Sequence, residues 1–309
     1  MLWDGKRYHS LNYHLRKKFG QKVFKLPVDA GFTCPNRDGT LSRGGCLFCS
    51  PRGSGDFAGT RNQPIYRQLA ELKKIMHKKW PEGKYIAYFQ AFTNTYAPVG
   101  KLRELYETAI NEPGVVGIAI ATRPDCLPPE VLELLEEINE RTYLWVEIGL
   151  QTVHSQTAKR LNLQYDFNSF LNALDNLQSR HIETCTHIIL GLPGENRDDM
   201  LETALKVAAL PIQGIKIHLL HLMKNTPLEA YYKNKPFPLL TREEYIGLVV
   251  DILEILPPEM VVHRLTGDSP RDLLIGPAWS LIKWEVLNGI DRSLIERDTW
   301  QGKKHQSNQ

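Results

Sequence analysis

From about residue 64 onward this 309-residue chain alternates short β-rich runs with stretches of helical periodicity, and that rhythm narrows its folds more than any other feature. Ile65, Leu69, Leu72 and Met76 share a helix face, and 85–91 (YIAYFQA) is β-rich. Leu102, Leu105, Ala109 and Ile110 read helical, and 115–121 (VVGIAIA) reads as a buried strand. Val131, Leu134, Leu135 and Ile138 fall at i, i+3, i+4 and i+7 on a helix opened by Pro128 and Pro129. Strands are expected at 143–150, 183–190 and 215–222, with helix faces at Leu201, Ala204, Leu205 and Ala208, then at Tyr245, Leu248, Val249, Ile252 and Leu256. Residues 23–28 add a strand at the start, giving about six, and 260–265 a further short one. Such alternation demands a parallel sheet with right-handed crossovers. The expected fold class is therefore α/β, with an open or closed TIM-like barrel of about six βα units and a doubly wound open sheet both left standing by the pattern.

Apolar residues recur to about Trp300, which excludes disorder as the main state. No apolar run approaches the roughly 20 residues of a membrane span, and the basic, polar-broken first 20 residues lack a signal-peptide core. The expectation is a cytoplasmic protein with no membrane association. The net charge of +3 hides an uneven distribution. Residues 1–27 hold seven Lys/Arg against Asp4 alone, and 61–84 hold seven against Glu71 and Glu82. Such patches suit a polyanion, RNA above all, although a solvated helix face has the same composition. The expected organisation is a basic extension over 1–20, one barrel with C-terminal capping elements over 21–290, and a tail over 291–309 that frays from Gly302.

The five cysteines are odd in number and unevenly placed, which argues against a disulfide framework. Cys34, Cys46 and Cys49 lie on one Gly-rich loop directly after the first strand, at the C-terminal face where parallel βα folds place active sites. A structural zinc wants four ligands, and no Cys or His stands between Cys34 and Cys46 or in the 25 residues after Cys49. A [4Fe–4S] cluster normally takes four cysteines, so three leave one iron open to chelation by an amine and a carboxylate. Zinc remains the alternative on this evidence.

This loop and the strand ends after it resemble the radical S-adenosylmethionine (radical SAM) superfamily, over roughly residues 20 to 290, and the resemblance implies a partial TIM-like (β/α)6 radical SAM barrel. The eleven-residue gap from Cys34 to Cys46 exceeds that superfamily's commonest spacing, but is similar to a subgroup around the catalytic subunit of Elongator, a tRNA-modifying complex. The resemblance implies that Cys34, Cys46 and Cys49 hold a [4Fe–4S] cluster, that S-adenosylmethionine (SAM) binds its open iron, and that reductive cleavage yields a 5′-deoxyadenosyl radical. It implies that Phe48 leans on the adenine, that Gln90 meets the SAM amino group, and that Glu147 and Gln151 meet its ribose or amine. It further assigns Arg160 to the SAM carboxylate and the Gly-rich stretch at Gly191 to the adenine. The chain departs from relatives at Gln164-Tyr165, where Gly-His is frequent.

Asn94, Arg123, His218, Arg264 and Asp268 are candidates for substrate contact or catalysis. Local alternatives stand beside them: an Arg123–Asp125 pair with Asp125 capping the next helix, and a salt-bridged edge at Arg264 and Asp268. His218 and His221 share a face only if their strand has ended by His221. The expected partners are SAM, an electron donor such as flavodoxin or ferredoxin, and a tRNA, with the wobble uridine as target. The rival readings are a small metabolite of cofactor synthesis and a non-catalytic zinc-stabilised RNA-binding module.

Overall fold

The computed structural model describes residues 2–78 and 80–305. Seven strands form one all-parallel sheet: β1 (Val23–Val28), β2 (Lys84–Phe89), β3 (Val115–Thr122), β4 (Tyr143–Gln151), β5 (Glu183–Leu190), β6 (Gly214–Leu219) and, after a two-residue β7 (Leu222–Met223), β8 (Val261–Arg264). Their spatial order is their chain order. A doubly wound sheet reverses direction midway; here the order never reverses, so the helices stack on one side and the sheet curls. β1 and β8 are the free edges, leaving a partial barrel. The short strand expected at 260–265 is β8, which makes the sheet one strand larger than six.

The outer layer comprises α2 (Ile65–His77), α3 (Val99–Ile110), α4 (Pro129–Arg141), α6 (Phe167–Gln178), α7 (Arg197–Ala208) and α9 (Arg242–Ile255). Period-two alternation divides each strand between two cores. Leu26, Phe89, Ile118, Ile120, Leu144, Val146 and Ile148 face the helices. Val23, Ile86, Tyr88, Ala119, Ala121, Trp145, Cys185 and Val261 face the barrel interior.

The first twenty residues, expected as a basic extension, carry α1 (Leu11–Phe19), which plugs that interior. Its buried Leu11 and Leu15 join the inner core, and the helix lies against both β1 and β8, spanning the gap between the edges. Val262 N donates to His9 O at 2.7 Å. Only two buried side chains anchor α1, too few to show as a helical period in the sequence.

The chain end is also docked. α10 (Lys283–Glu296) packs on α9, and the fully buried Gln301 donates to Pro257 O at 2.7 Å and Met260 O at 2.8 Å while accepting from His9 N at 2.8 Å. The fraying expected from Gly302 is corrected by two bonds: Gly302 N donates to Leu253 O at 3.0 Å and Lys304 N to Glu254 O at 2.8 Å. Residues 306–309 lie outside the described residues.

Leu15→Ala is expected to lower unfolding free energy by about 2–5 kcal/mol, because the plug side chain has no solvent route to relax into. Urea titration reads it, with Leu2→Ala, at 65% exposed, as the unaffected control.

Candidate active site

The loop after β1 folds back on itself above the C-terminal end of the sheet. Arg37 N and Asp38 N donate to Cys34 O at 2.8 and 3.1 Å, forming the first turn. The Arg37 guanidinium then reaches the second limb, donating to Cys49 O at 3.2 Å and Ser50 O at 2.6 Å. Gly45, at φ +80°, lies under that side chain, and a Cβ there would fall 2.8 Å from Arg37 Nε. Leu47 N donates to Leu161 O at 3.0 Å and Leu228 N to Leu47 O at 2.8 Å, which pins the loop across the mouth beside α5 (Ser155–Arg160) and α8 (Pro227–Asn234).

Cys34, Cys46 and Cys49 all line one cavity of about 650 Å³. Asn36 Nδ2 stands 3.5 Å from Cys46 Sγ. A hydrogen bond from the Cys49 thiol, supported by Arg123, Asn36 and Arg37, brings the Cys46 thiol down to about 7, while Cys49 as the donor is pushed up. Three thiols backed by two guanidiniums suit a thiolate-ligated cluster. Among the described residues no three His, Cys, Asp or Glu side chains draw together as the ligand set of a single ion does. Cys126 is separate, its buried thiol raised to about 12 by desolvation first.

Beneath the loop, Glu147 of β4 is fully buried. It accepts from Tyr88 Oη at 2.7 Å, from Trp145 Nε1 at 3.0 Å and from Lys216 Nζ, with His187 Nε2 at 3.0 Å. Lys25 Nζ lies 3.9 Å away, and Lys216 Nζ also donates to Tyr88 Oη at 2.9 Å. Burial alone would raise this carboxyl, but Lys216, Lys25 and His187 outweigh it and hold it well below the usual range. The sequence marked Glu147; it did not mark Lys25, Lys216, Tyr88 or His187 as its partners. The available signal was two lysines and one glutamate, each at an inward position of an otherwise apolar strand (VFKLPV, GIKIHL, YLWVEIGLQ).

Phe48, Gln90, Glu147, Gln151, Arg123, His218, Arg264 and Asp268 share the cysteine cavity, as does the unforeseen Tyr165. Gln90 Nε2 donates to Ser54 O at 2.7 Å, and Gln151 adopts φ +69° where β4 breaks register. Arg123 forms a bidentate pair with Asp125 at 2.9 and 2.7 Å and lies 4.8 Å from the Tyr165 ring. Asp125 does not cap α4, whose first turn starts at Pro128 without a side-chain bond. His218 and His221 both enter the cavity, because β6 ends at Leu219.

Three candidates stand elsewhere. The Arg160 guanidinium donates to Pro193 O, bracing the Gly-rich turn from outside the cavity. Gly191 N faces Met200 Sδ at 3.1 Å, so this glycine serves the turn into α7. Asn94 is buried against the sheet, its Nδ2 donating to Ala121 O at 2.8 Å. The basic N-terminal residues do not front this cavity either. Arg16, Lys17 and Lys22 line a separate cleft of about 500 Å³ with Trp80, beside the starts of β1 and β2.

Glu147→Gln is expected to cost about 3–5 kcal/mol by leaving Lys216 buried without its counter-charge, and adding Lys216→Met should restore part of the loss. Urea denaturation of the pair of variants measures both. The histidines set a pH window. Burial holds His14, His187 and His221 at about 4 and His218 and His263 well below the imidazole range. The unfolded chain takes these protons near pH 6.5, whereas the folded one resists until about 4. Stability is therefore full above about pH 6.5 and lost as pH falls toward 4. A urea midpoint that stays flat from pH 7.5 to about 4.5 would contradict this.

Comparison with known proteins fits this geometry. Residues 34–207 match the radical SAM superfamily and residues 212–296 its Radical_SAM C-terminal domain. The chain is 58% identical over 298 residues to YtqA of Bacillus subtilis (strain 168), covering 96% of this chain and 92% of that protein. It is 25% identical over 159 residues to a tRNA uridine(34) acetyltransferase of Dehalococcoides mccartyi (strain CBDB1), covering 50% of this chain and 34% of that protein. The fold superposes on archaeal Methanocaldococcus infernus Elp3, lacking residues 1–46, with a TM-score of 0.69 at 15% identity, covering 90% of this chain and 64% of that one. With the first match opening on Cys34 itself, the chain belongs to the radical SAM superfamily.

Proposed function

We propose that this protein is a tRNA-modifying radical SAM enzyme whose target is a wobble uridine. The observation that carries the chemistry is the convergence of Cys34, Cys46 and Cys49 on one cavity beside Arg37 and Arg123. The three thiolates hold a [4Fe–4S] cluster, and Phe48, Gln90 and Gln151 line the SAM site beside it. When bound, cluster and SAM supply one-electron cleavage of SAM and hydrogen-atom abstraction at an unactivated carbon. The protein's own work is positional. Arg37 staples the two limbs of the cysteine loop, Gln90 ties the end of β2 to Ser54 O, and Tyr165 and Arg123 wall the mouth. Glu147 has its oxygens engaged, so its part is to hold Lys216 and His187 in place.

The tRNA reading rests on similarity to a relative named for uridine 34 and on exposed arginines around the loop. Arg61, which donates to Gly31 O at 3.1 Å, and Arg52 both lie near the mouth with exposed side chains. The N-terminal cleft lies at the opposite end of the strands and contributes to this reading only through net charge.

Anaerobic reconstitution with iron and sulfide, then dithionite and SAM, tests the chemistry. About four irons per chain and 5′-deoxyadenosine by mass spectrometry are expected, both lost in Cys46→Ala. Bound zinc without SAM cleavage would replace this reading with a zinc-stabilised module. Filter binding of tRNA tests the substrate: affinity should fall about tenfold or more between 50 and 200 mM salt. Cleavage activity without salt-sensitive tRNA binding would instead point to a small metabolite.

A further inference from the structure

The cavity continues past the cysteine loop to a deep end between β6 and β8, where polar groups stand without partners. His218 Nε2, His221 Nε2 and Ser269 Oγ are buried and make no hydrogen bond. All three residues line the cavity together with Arg264 and Lys216. The two imidazoles flank Gly267: a Cβ there would sit 3.2 Å from His221 Cε1 and 3.6 Å from His218 Nδ1. Arg264, its side chain 31% exposed, faces this end of the cavity. Its one ionic neighbour, Asp268, is 3.9 Å away and is already held by Lys283 at 2.7 Å.

The local charge does not balance. Lys25, Lys216 and Arg264 face one buried carboxylate, Glu147, whose oxygens are already engaged by Tyr88, Trp145, Lys216 and His187. The surplus is felt at Lys25, which burial first, then repulsion from Lys216 and Arg264, lowers to about 7. Unpartnered buried polar atoms beside a surplus of positive charge favour a negative group over a metal ion.

We propose that this deep end, built by Lys216, His218, His221, Arg264 and Ser269, is an oxyanion subsite that holds a carboxylate or phosphate of the substrate. Arg264 presents a planar fork suited to two oxygens of such a group, and the Ser269 hydroxyl and the imidazoles, in the tautomer with hydrogen on Nε2, supply further donors. The inference deepens the functional reading above and rests on it for the identity of the site: an anionic group of the substrate is anchored away from the cysteines and its reacting carbon left toward them.

The test is calorimetric titration of the full-length reconstituted protein, saturated with SAM, with inorganic phosphate and separately with acetate. Saturable binding of at least one is expected, and the preferred anion distinguishes phosphate from carboxylate. Arg264→Gln should weaken it about tenfold or more, Arg264→Lys should recover only part of it because an ammonium lacks the planar fork, and Lys22→Gln in the outer cleft should leave it unchanged. No binding in either arm, binding that survives Arg264→Gln, or binding that SAM abolishes would each overturn the proposal, the last by giving the site to the cofactor. The same titration of the full chain without cluster reads the subsite even where no cluster assembles, so failure of the radical SAM reading and failure of this one are separable.

Discussion

The interior of this barrel is organised by a single buried carboxylate. Glu147 on β4 is reached by Lys25 from β1, Tyr88 from β2, His187 from β5 and Lys216 from β6, with Trp145 from its own strand. An ionised group in that position costs several kcal/mol of desolvation unless paired and hydrogen-bonded. The partners come from strands that are not all neighbours, so satisfying the charge constrains the curl of the sheet. Below this layer the interior is apolar and closed by α1; above it the interior is polar and open. The network is thus the floor of the cavity, and its surplus of cations sets that cavity's electrostatic character.

The mouth is held by a different device. Phe92, Gln151, Asn162 and Gln164 all adopt positive φ, unusual for residues with side chains. Each belongs to a segment that ends a strand or supports the cysteine loop. Asn162 makes the connection explicit, donating through Nδ2 to Gly45 O at 2.9 Å and Ser42 Oγ at 3.1 Å while its own carbonyl accepts from Asn36. Gln164 holds a φ of +62°, a conformation that glycine adopts without strain. Loop and mouth therefore hold each other, and the thiols arrive in the cavity through backbone geometry that the surrounding turns enforce.

Much of this was legible in the order of residues. Strand and helix periods report on contacts within one element, so β2 to β6 and the covering helices α2, α3, α4, α7 and α9 could be read from spacing alone, whereas α6 was not marked. The cysteine triad was legible for a similar reason, since its members are close in sequence and follow a strand whose end must lie on the functional face. Glu147 drew attention as a charge in an apolar run. Sequence position says which element Arg160 rides on, not which way its long side chain turns; it turns to Pro193 O. The position of the basic N-terminal residues is likewise set by tertiary structure, since α1 carries them to the far end of the strands from the cysteines.

What the sequence by itself determined is therefore the architecture and the chemistry at hand: parallel alternation, a thiol-bearing first loop, and charged residues at inward strand positions. Those follow from local periodicity and from the intrinsic properties of side chains. What only the tertiary structure decided is which charges meet. That Lys25 and Lys216 converge on one glutamate, that His221, past the end of β6, enters the cavity beside His218, and that Arg264 meets only the loosely placed Asp268 at 3.9 Å depend on the register and curl of seven strands. Those contacts join residues far apart in the chain, and no local pattern encodes a distance that only folding closes.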